Sequence, residues 1–448
     1  MTWGVRWLRR LGPCAAAIGV FLLALSAVSP AALALKVDEI VTPKGIKAWL
    51  VEEHSVPLIA IKFAFGGGAA QDPSGKEGLA GLLSDVLSEG AGDMPATAFK
   101  EKLARLGTRL STASGRDAFY GGLEALSARF APSAELLRLV LVAPRFDADA
   151  IERSRAQRLT DLAMAANEPN KVSLERWYVE AFSGHAYGRP VDGTPETVAR
   201  LTRDDVKAQH ARLLAKDVLK VVIVGDIDKA KAAEAIDLVF GGLPDKASVS
   251  RVGKVEPRSR AQPLVIDKDY PLATATFGLR SLASDHPDFP ALQVLNNIIG
   301  SGDFDSRLME EVRVKRGLAY SINTGLLRDS TTSFLLGAFS TKNEAMGTAL
   351  GVVKDVLAAT ARDGPTPAQF ENSKRYLTGS FLLDFDTNAK VANSLLQIWL
   401  EGKTPDYLLS RNRAINGVTL NDVKRVAGEV LQVDRLLVTI VGKPKLAP

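Results

Sequence analysis

Two stretches of this chain repeat each other, and that repeat limits the architecture more than any other feature. Thr202-Arg203-Asp204-Asp205-Val206-Lys207 leads to Val221-Val222-Ile223-Val224-Gly225, and Thr419-Leu420-Asn421-Asp422-Val423-Lys424 leads to Val438-Thr439-Ile440-Val441-Gly442. The threonines and the terminal glycines are both 217 residues apart, so nothing is inserted between helix and strand in either copy. In each copy the Thr is placed to cap a helix whose first turn carries acids, where they meet the positive end of the helix dipole. The β-branched run that follows reads as a buried strand ending at a turn glycine. One helix and one strand cannot bury their own apolar faces. Each copy must therefore sit in a larger layered unit, and the chain resolves into two homologous halves.

Other segments fill out the halves. Residues 47–53 and 57–65 read as strands, the second alternating Leu58, Ala60, Lys62, Ala64 against Ile59, Ile61, Phe63, Phe65 before Gly66-Gly67-Gly68 breaks it. Residues 78–88 place Leu79, Leu82, Leu83, Val86 and Leu87 on one helical stripe. Further helices are predicted over 98–106, 133–142 with Ser133 as N-cap, and 148–166. Residues 246–263 are polar and basic, contain Pro257 and Pro263, and read as the linker. The second half is predicted to open with a strand over 273–279, then a helix over 290–299, the loop Gly300-Ser301-Gly302-Asp303 and another helix from Ser306. The fold class is α+β, two homologous α/β domains over 35–245 and 264–448 joined by that linker.

The first residues read as an address. Arg6, Arg9 and Arg10 precede an apolar run over 15–28, and Ala32-Leu33-Ala34 is a small-x-small cleavage site. Residues 1–34 are therefore expected to be a signal peptide, and the protein to be periplasmic or otherwise exported. An uncleaved anchor is the alternative reading, but the run is shorter than the roughly 20 residues that span a bilayer. The single cysteine, Cys14, leaves with this segment, so no disulfide and no thiolate metal ligand is expected. Loss of the three arginines lowers the formal charge from +5 to +2, which gives no case for nucleic acid. His54, His185, His210 and His286 stand too far apart in sequence for any two to share a helix face, and read as surface or capping residues.

The helix at 78–88 carries a deletion of chemistry. An inverted zincin places its ligands as His-x-x-Glu-His, so that two imidazoles one turn apart share a helix face and the Glu serves as base. Gly78-Leu79-Ala80-Gly81-Leu82-Leu83-Ser84-Asp85 has that frame, with Gly81, Ser84 and Asp85 where His, Glu and His would stand. Glycine has no side chain, serine is a poor base, and one aspartate does not replace two imidazoles.

These segments resemble the pitrilysin-like family of inverted-motif zinc peptidases, which includes mitochondrial processing peptidase and the core proteins of the respiratory cytochrome bc complex. Gly78 to Leu83 is similar to the family's Gly-Leu-Ala-His-Leu-Leu-Glu-His helix. His185-Ala186-Tyr187-Gly188-Arg189-Pro190-Val191-Asp192-Gly193-Thr194 resembles its His-Pro-Leu-Gly-Arg-Pro-x-x-Gly-Thr segment, and 306–321 resembles its second-half signature. The resemblance implies two pitrilysin-like domains, each a mixed sheet packed by helices. It places a third ligand, a Glu about 76 residues beyond the second His, on Asp161, and a supporting Glu on Ser154. All five positions are altered, so no zinc is expected in this chain. A hard cation held by Asp85 and Asp161 through oxygen is the alternative.

The resemblance also implies what is kept. The family's second half carries an Arg and a Tyr seven residues apart that act with a facing zinc centre, and Arg313 and Tyr320 match them. Residues 110–117 resemble the edge strand to which peptide adds. The implied protein is the zinc-free subunit of a heterodimeric zinc peptidase. Its partner would be a homologous subunit with intact His-x-x-Glu-His that holds the zinc, and its substrate a peptide. The alternative is a non-catalytic structural or peptide-binding protein of the same fold, like the respiratory core proteins.

Overall fold

Both copies of the repeat begin at the threonine cap. In the computed structural model, which describes residues 35–446, Thr202 accepts from the Asp205 amide and Asp205 reaches back to Thr202, a reciprocal capping box; Thr419 and Asp422 do the same. Each strand that follows ends at a glycine with φ near +140° (Gly225 and Gly442). A Cβ on Gly225 would lie 2.1 Å from the Leu58 carbonyl oxygen, so the neighbouring strand passes too close for any side chain. Residues 1–34, read above as an expected signal peptide, lie outside the described residues.

The first half contains β1 (Asp38–Val41), β2 (Lys47–Glu52), β3 (Leu58–Gly66), α1 (Leu79–Val86), α2 (Ala96–Leu106), β4 (Arg109–Ser114) and β5 (Ala118–Leu126). It continues with α3 (Phe130–Val142), α4 (Ala148–Ala165), α5 (Pro169–Ala181), α6 (Arg203–Leu213), β6 (Leu219–Gly225) and α7 (Lys229–Phe240). The second contains β7 (Leu264–Asp267), β8 (Leu272–Arg280), α8 (Phe289–Asn296), β9 (Ile322–Asp329), β10 (Thr332–Lys342) and α9 (Met346–Asp363). It ends with α10 (Pro367–Ser380), α11 (Asn388–Leu400), α12 (Tyr407–Gly417), α13 (Leu420–Val430) and β11 (Leu437–Gly442).

The sheets are mixed and follow one plan. Their orders are β1-β2-β6-β3-β5-β4 and β9-β10-β8-β11-β7. The repeat strand runs parallel to the first-half strand β2 in one sheet and to β7 in the other, and antiparallel to its other neighbour. Helices bury one face of each sheet in a separate aliphatic and aromatic core.

The other faces are covered reciprocally. Helix α5 of the first half lies on β8 and β11, and α11 of the second half lies on β3 and β6. Trp399 of α11 stacks on Trp49 of β2, ring centres 4.8 Å apart and planes within 5°. Trp177 of α5 is fully buried, and its indole N–H donates to the Leu437 carbonyl at 3.2 Å. Ser173, also on α5, donates to Thr276 in the opposite sheet. A third apolar cluster, Trp177, Phe182, Tyr187, Phe334 and Leu437, fills the seam. Residues 37–446 accordingly form one unit.

Both faces of β3 are covered: Ala60 and Ala64 are buried on the side where α11 packs. Several expectations are corrected. The third helix begins at Phe130, and Ser133 donates to the Arg129 carbonyl inside it, so it is no N-cap. A short strand, β7, precedes the strand predicted at 273–279. After α8 the chain passes through π-helical turns at Asn297–Ser301 and Met309–Val314 in place of regular helix. His210 is no surface residue: its ring bonds the Leu141 carbonyl, and burial holds its pKa below the usual imidazole range.

Candidate functional site

Three of the altered positions, Asp85, Ser154 and Asp161, line one cleft of the first half. Helix α1 packs against α4, α6 and the edge strand β4, which holds Gly81, Ser84 and Asp85 opposite Ser154 and Asp161. The cleft is about 590 Å³ and is lined by Asp85, Glu89, Arg153, Ser154, Arg158 and Asp161 among others. Ser84 is buried, and its hydroxyl turns back to donate to the Gly81 carbonyl at 2.7 Å, so at the base position it is committed to its own helix. Asp161 is exposed and accepts from the Gln157 amide at 2.9 Å.

The centre of the cleft belongs to an arginine. Arg158 of α4 reaches Asp85 with Nε at 2.9 Å and Nη2 at 2.7 Å, and Asp192 with Nη1 at 3.3 Å. Burial pushes the Asp85 carboxyl above its ordinary range, and the Arg158 charge pulls it back. The donor set does not fit zinc: the first ligand position has no side chain, the base position is a hydroxyl, and the surviving carboxylate is held by a cation. It does not fit a hard cation between Asp85 and Asp161 either, because those two carboxylates have separate partners.

Helix α1 is braced from below by residues the ligand pattern does not reveal. Buried Asp72 accepts from the amides of Gly78 and Ala80 and from Gln209, each at 3.0 Å, capping α1 from six residues upstream. Arg189 donates to the carbonyls of Asp72 and Ala70 at 2.6 and 2.8 Å. Thr197 donates to the Glu77 carbonyl at 2.9 Å. The His185–Thr194 motif thus leads into the platform on which α1 stands.

The second half brings Arg313 and Tyr320 together. Arg313 lies in the last residues of the π-helical turn, and Gly317, at φ +60°, reverses the chain with its amide on the Arg313 carbonyl at 2.9 Å. Tyr320 then returns over Arg313, whose guanidinium carbon sits 4.6 Å from the Tyr320 ring centre and 4.6 Å from that of Phe304. The nearby acids are engaged elsewhere, Glu311 with Lys315 and Arg316, and Glu310 with Lys315. No ion-pair partner of Arg313 is found among the described residues. Tyr320 is 83 % exposed, an unusual state for an aromatic ring.

A family model described as insulinase (peptidase family M16) matches residues 49–195, and one described as the peptidase M16 inactive domain matches 200–377. The chain belongs to the M16 peptidase family. Among M16-like relatives, the "Non-peptidase homolog YmxG" of Helicobacter pylori is 24 % identical over 395 residues, covering 88 % of this chain and 91 % of that protein. A crystal structure titled peptidase M16 inactive domain from Pseudomonas fluorescens superposes with a TM-score of 0.86 at 26 % identity, over 92 % of this chain and 99 % of that one. A Helicobacter pylori protease structure shares the fold at a TM-score of 0.83 and 20 % identity, over 91 % and 99 % of the two chains. The M16 fold explains why α1, α4 and the 185–194 segment keep their places after the ligands are gone: each is tied to the core by apolar packing or backbone hydrogen bonds. Of the positions named from the sequence, Gly81, Ser84, Asp85, Ser154 and Asp161 lie on α1 and α4, and Arg313 and Tyr320 meet in the second half; Arg158, Phe304 and Asp72 were not among them.

Proposed function

We propose that this chain is the zinc-free subunit of an exported two-chain peptidase, lending Arg313 and Tyr320 to a zinc centre held by a homologous partner with intact His-x-x-Glu-His. The observation that carries the reading is the contrast between the two halves. The catalytic positions of one are closed off by internal hydrogen bonds and an ion pair, whereas Tyr320 of the other is exposed and the half-buried Arg313 beneath it has no acid partner among the described residues. The partner's zinc would supply Lewis acidity and an activated water. The residues of this chain act on the peptide. The Tyr320 hydroxyl is a neutral donor suited to the oxygen that gains charge as a carbonyl is attacked. The Arg313 guanidinium, set against the rings of Phe304 and Tyr320, offers its N–H fork to a substrate carbonyl or carboxylate. Strand β4 stands at the sheet edge, where its outer backbone groups can pair with an extended peptide.

The test is recombination of the purified chain with the zinc-bearing homologue. Tyr320→Phe is expected to lower turnover about 10²–10³-fold with assembly unchanged. Undiminished turnover removes Tyr320 from this role. The relative named a non-peptidase homolog favours a second reading, a peptide-binding or structural protein of the same fold. Peptide binding by a homodimer without hydrolysis, in every combination with the homologue, would select it.

A further inference from the structure

We infer that Arg158 is a resident replacement for the metal, an internal cation that ties the cleft together and keeps divalent ions out of it. The position is the first reason. A Cβ built on Gly81 would lie 2.5 Å from Nη1, 2.6 Å from Nη2 and 2.7 Å from Cζ of Arg158. The guanidinium therefore lies against the backbone of α1 at the point where the first ligand side chain would emerge. Gly81 and Arg158 form a matched pair, the missing side chain of one being the room for the other. This also accounts for a glycine inside a helix, where it costs roughly 1 kcal/mol relative to alanine.

The bonding is the second reason. A metal at this place would join α1 to α4. Arg158 makes the same junction from α4 through its hydrogen bonds to Asp85 on α1, and adds Asp192 from the 185–194 segment. Its side chain is only 12 % exposed, so the charge is held inside the cleft and not displayed on its rim. A fixed positive charge at this spot opposes a divalent cation by repulsion as well as by volume. Restoring ligands alone is therefore insufficient to restore a metal site. The inference concerns this chain's own cleft and stands whether or not a partner exists.

Three full-length proteins test it, each checked for native circular dichroism. The first carries Gly81→His, Ser84→Glu, Asp85→His and Asp161→Glu, the second adds Arg158→Ala, and the third is Gly81→Ala alone. Zinc binding is measured by equilibrium dialysis and metal analysis. The second protein is expected to bind one zinc at least about a hundredfold more tightly than the first. Equal affinity with Arg158 in place overturns the inference. Should neither graft hold zinc, the third protein decides. Its new Cβ must expel the guanidinium, so labelling of Arg158 by phenylglyoxal, read by peptide mass mapping, is expected to rise about fivefold or more once the ion pair opens. Unchanged labelling shows that Arg158 does not occupy the place of the side chain, and overturns the inference by itself.

Discussion

Asp329→Asn should remove a pH dependence built into the seam between the halves. Asp329 ends β9 and meets the β4–β5 turn of the other half, where Arg116 and Asp117 lie, with Tyr120, Tyr178 and Tyr187 around it. Its Oδ2 is buried without a hydrogen-bond partner, and the closest cation, Arg116 Nε, is 3.8 Å away. Arg116 is committed elsewhere: it donates to the Tyr187 carbonyl at 2.6 Å and lies over the Tyr178 ring. Asp117 is already bonded to the Tyr187 hydroxyl and the Ser330 amide, at 2.9 and 2.6 Å. Desolvation therefore outweighs Arg116, the Asp117 charge adds to it, and the Asp329 carboxyl is pushed from 3.8 up to about 6. Between those values the folded chain holds a proton that the unfolded chain has released. Stability from this group is thus complete at the acid side of the window and is lost as pH rises through it. Two pH units correspond to about 3 kcal/mol as an upper bound, and water reaching the seam reduces this to about 1–3 kcal/mol. Asparagine is neutral throughout. Urea unfolding of both proteins at about pH 4, 6 and 8 should give nearly equal stabilities at the acid end and a more stable variant at the alkaline end. A stability difference that stays constant with pH would refute the assignment of a buried, poorly compensated carboxylate.

Trp177→Ala removes a fully buried indole of the seam and should cost about 3–5 kcal/mol, with both halves still melting in one transition by calorimetry. Two separated transitions in the wild-type protein would contradict the interlocking of the halves by α5 and α11. Phe304→Leu takes away one of the two ring contacts of Arg313 and should lower kcat/KM of the recombined pair about two- to fivefold, the worth of an exposed cation–π contact. An unaltered kcat/KM would show that Tyr320 alone orients the guanidinium.

The parts of the fold that were legible are those set by local chemistry. The Thr-x-x-Asp caps, the β-branched strands and the constant offset between them depend on residues a few positions apart, and both copies form as read. The exchange of α5 and α11 was not legible. Each is an ordinary helix in sequence, and only the tertiary pairing of Trp177 with Leu437 and of Trp399 with Trp49 reveals which sheet it covers. The positions set against the family's zinc ligands were read from spacing along α1 and α4. Arg158 escaped because its meaning lies in what Gly81 lacks, and a helical arginine reads as a solvated charge until the facing helix is known. The one advance signal was Gly81 itself, a residue that a helix interior disfavours unless something lies against it. Asp72 escaped because it caps α1 through a loop and not from the adjacent position.

The central claim is that this M16 chain has given up its own metal centre and contributes a polar pair to another. The most direct measurement is purification with the native partner, separation of the chains, zinc analysis of each, and a peptide-hydrolysis assay before and after they are recombined. The account predicts zinc in the partner alone and hydrolysis only in the mixture. Stoichiometric zinc in this chain, with proteolysis by it unaided, would contradict it.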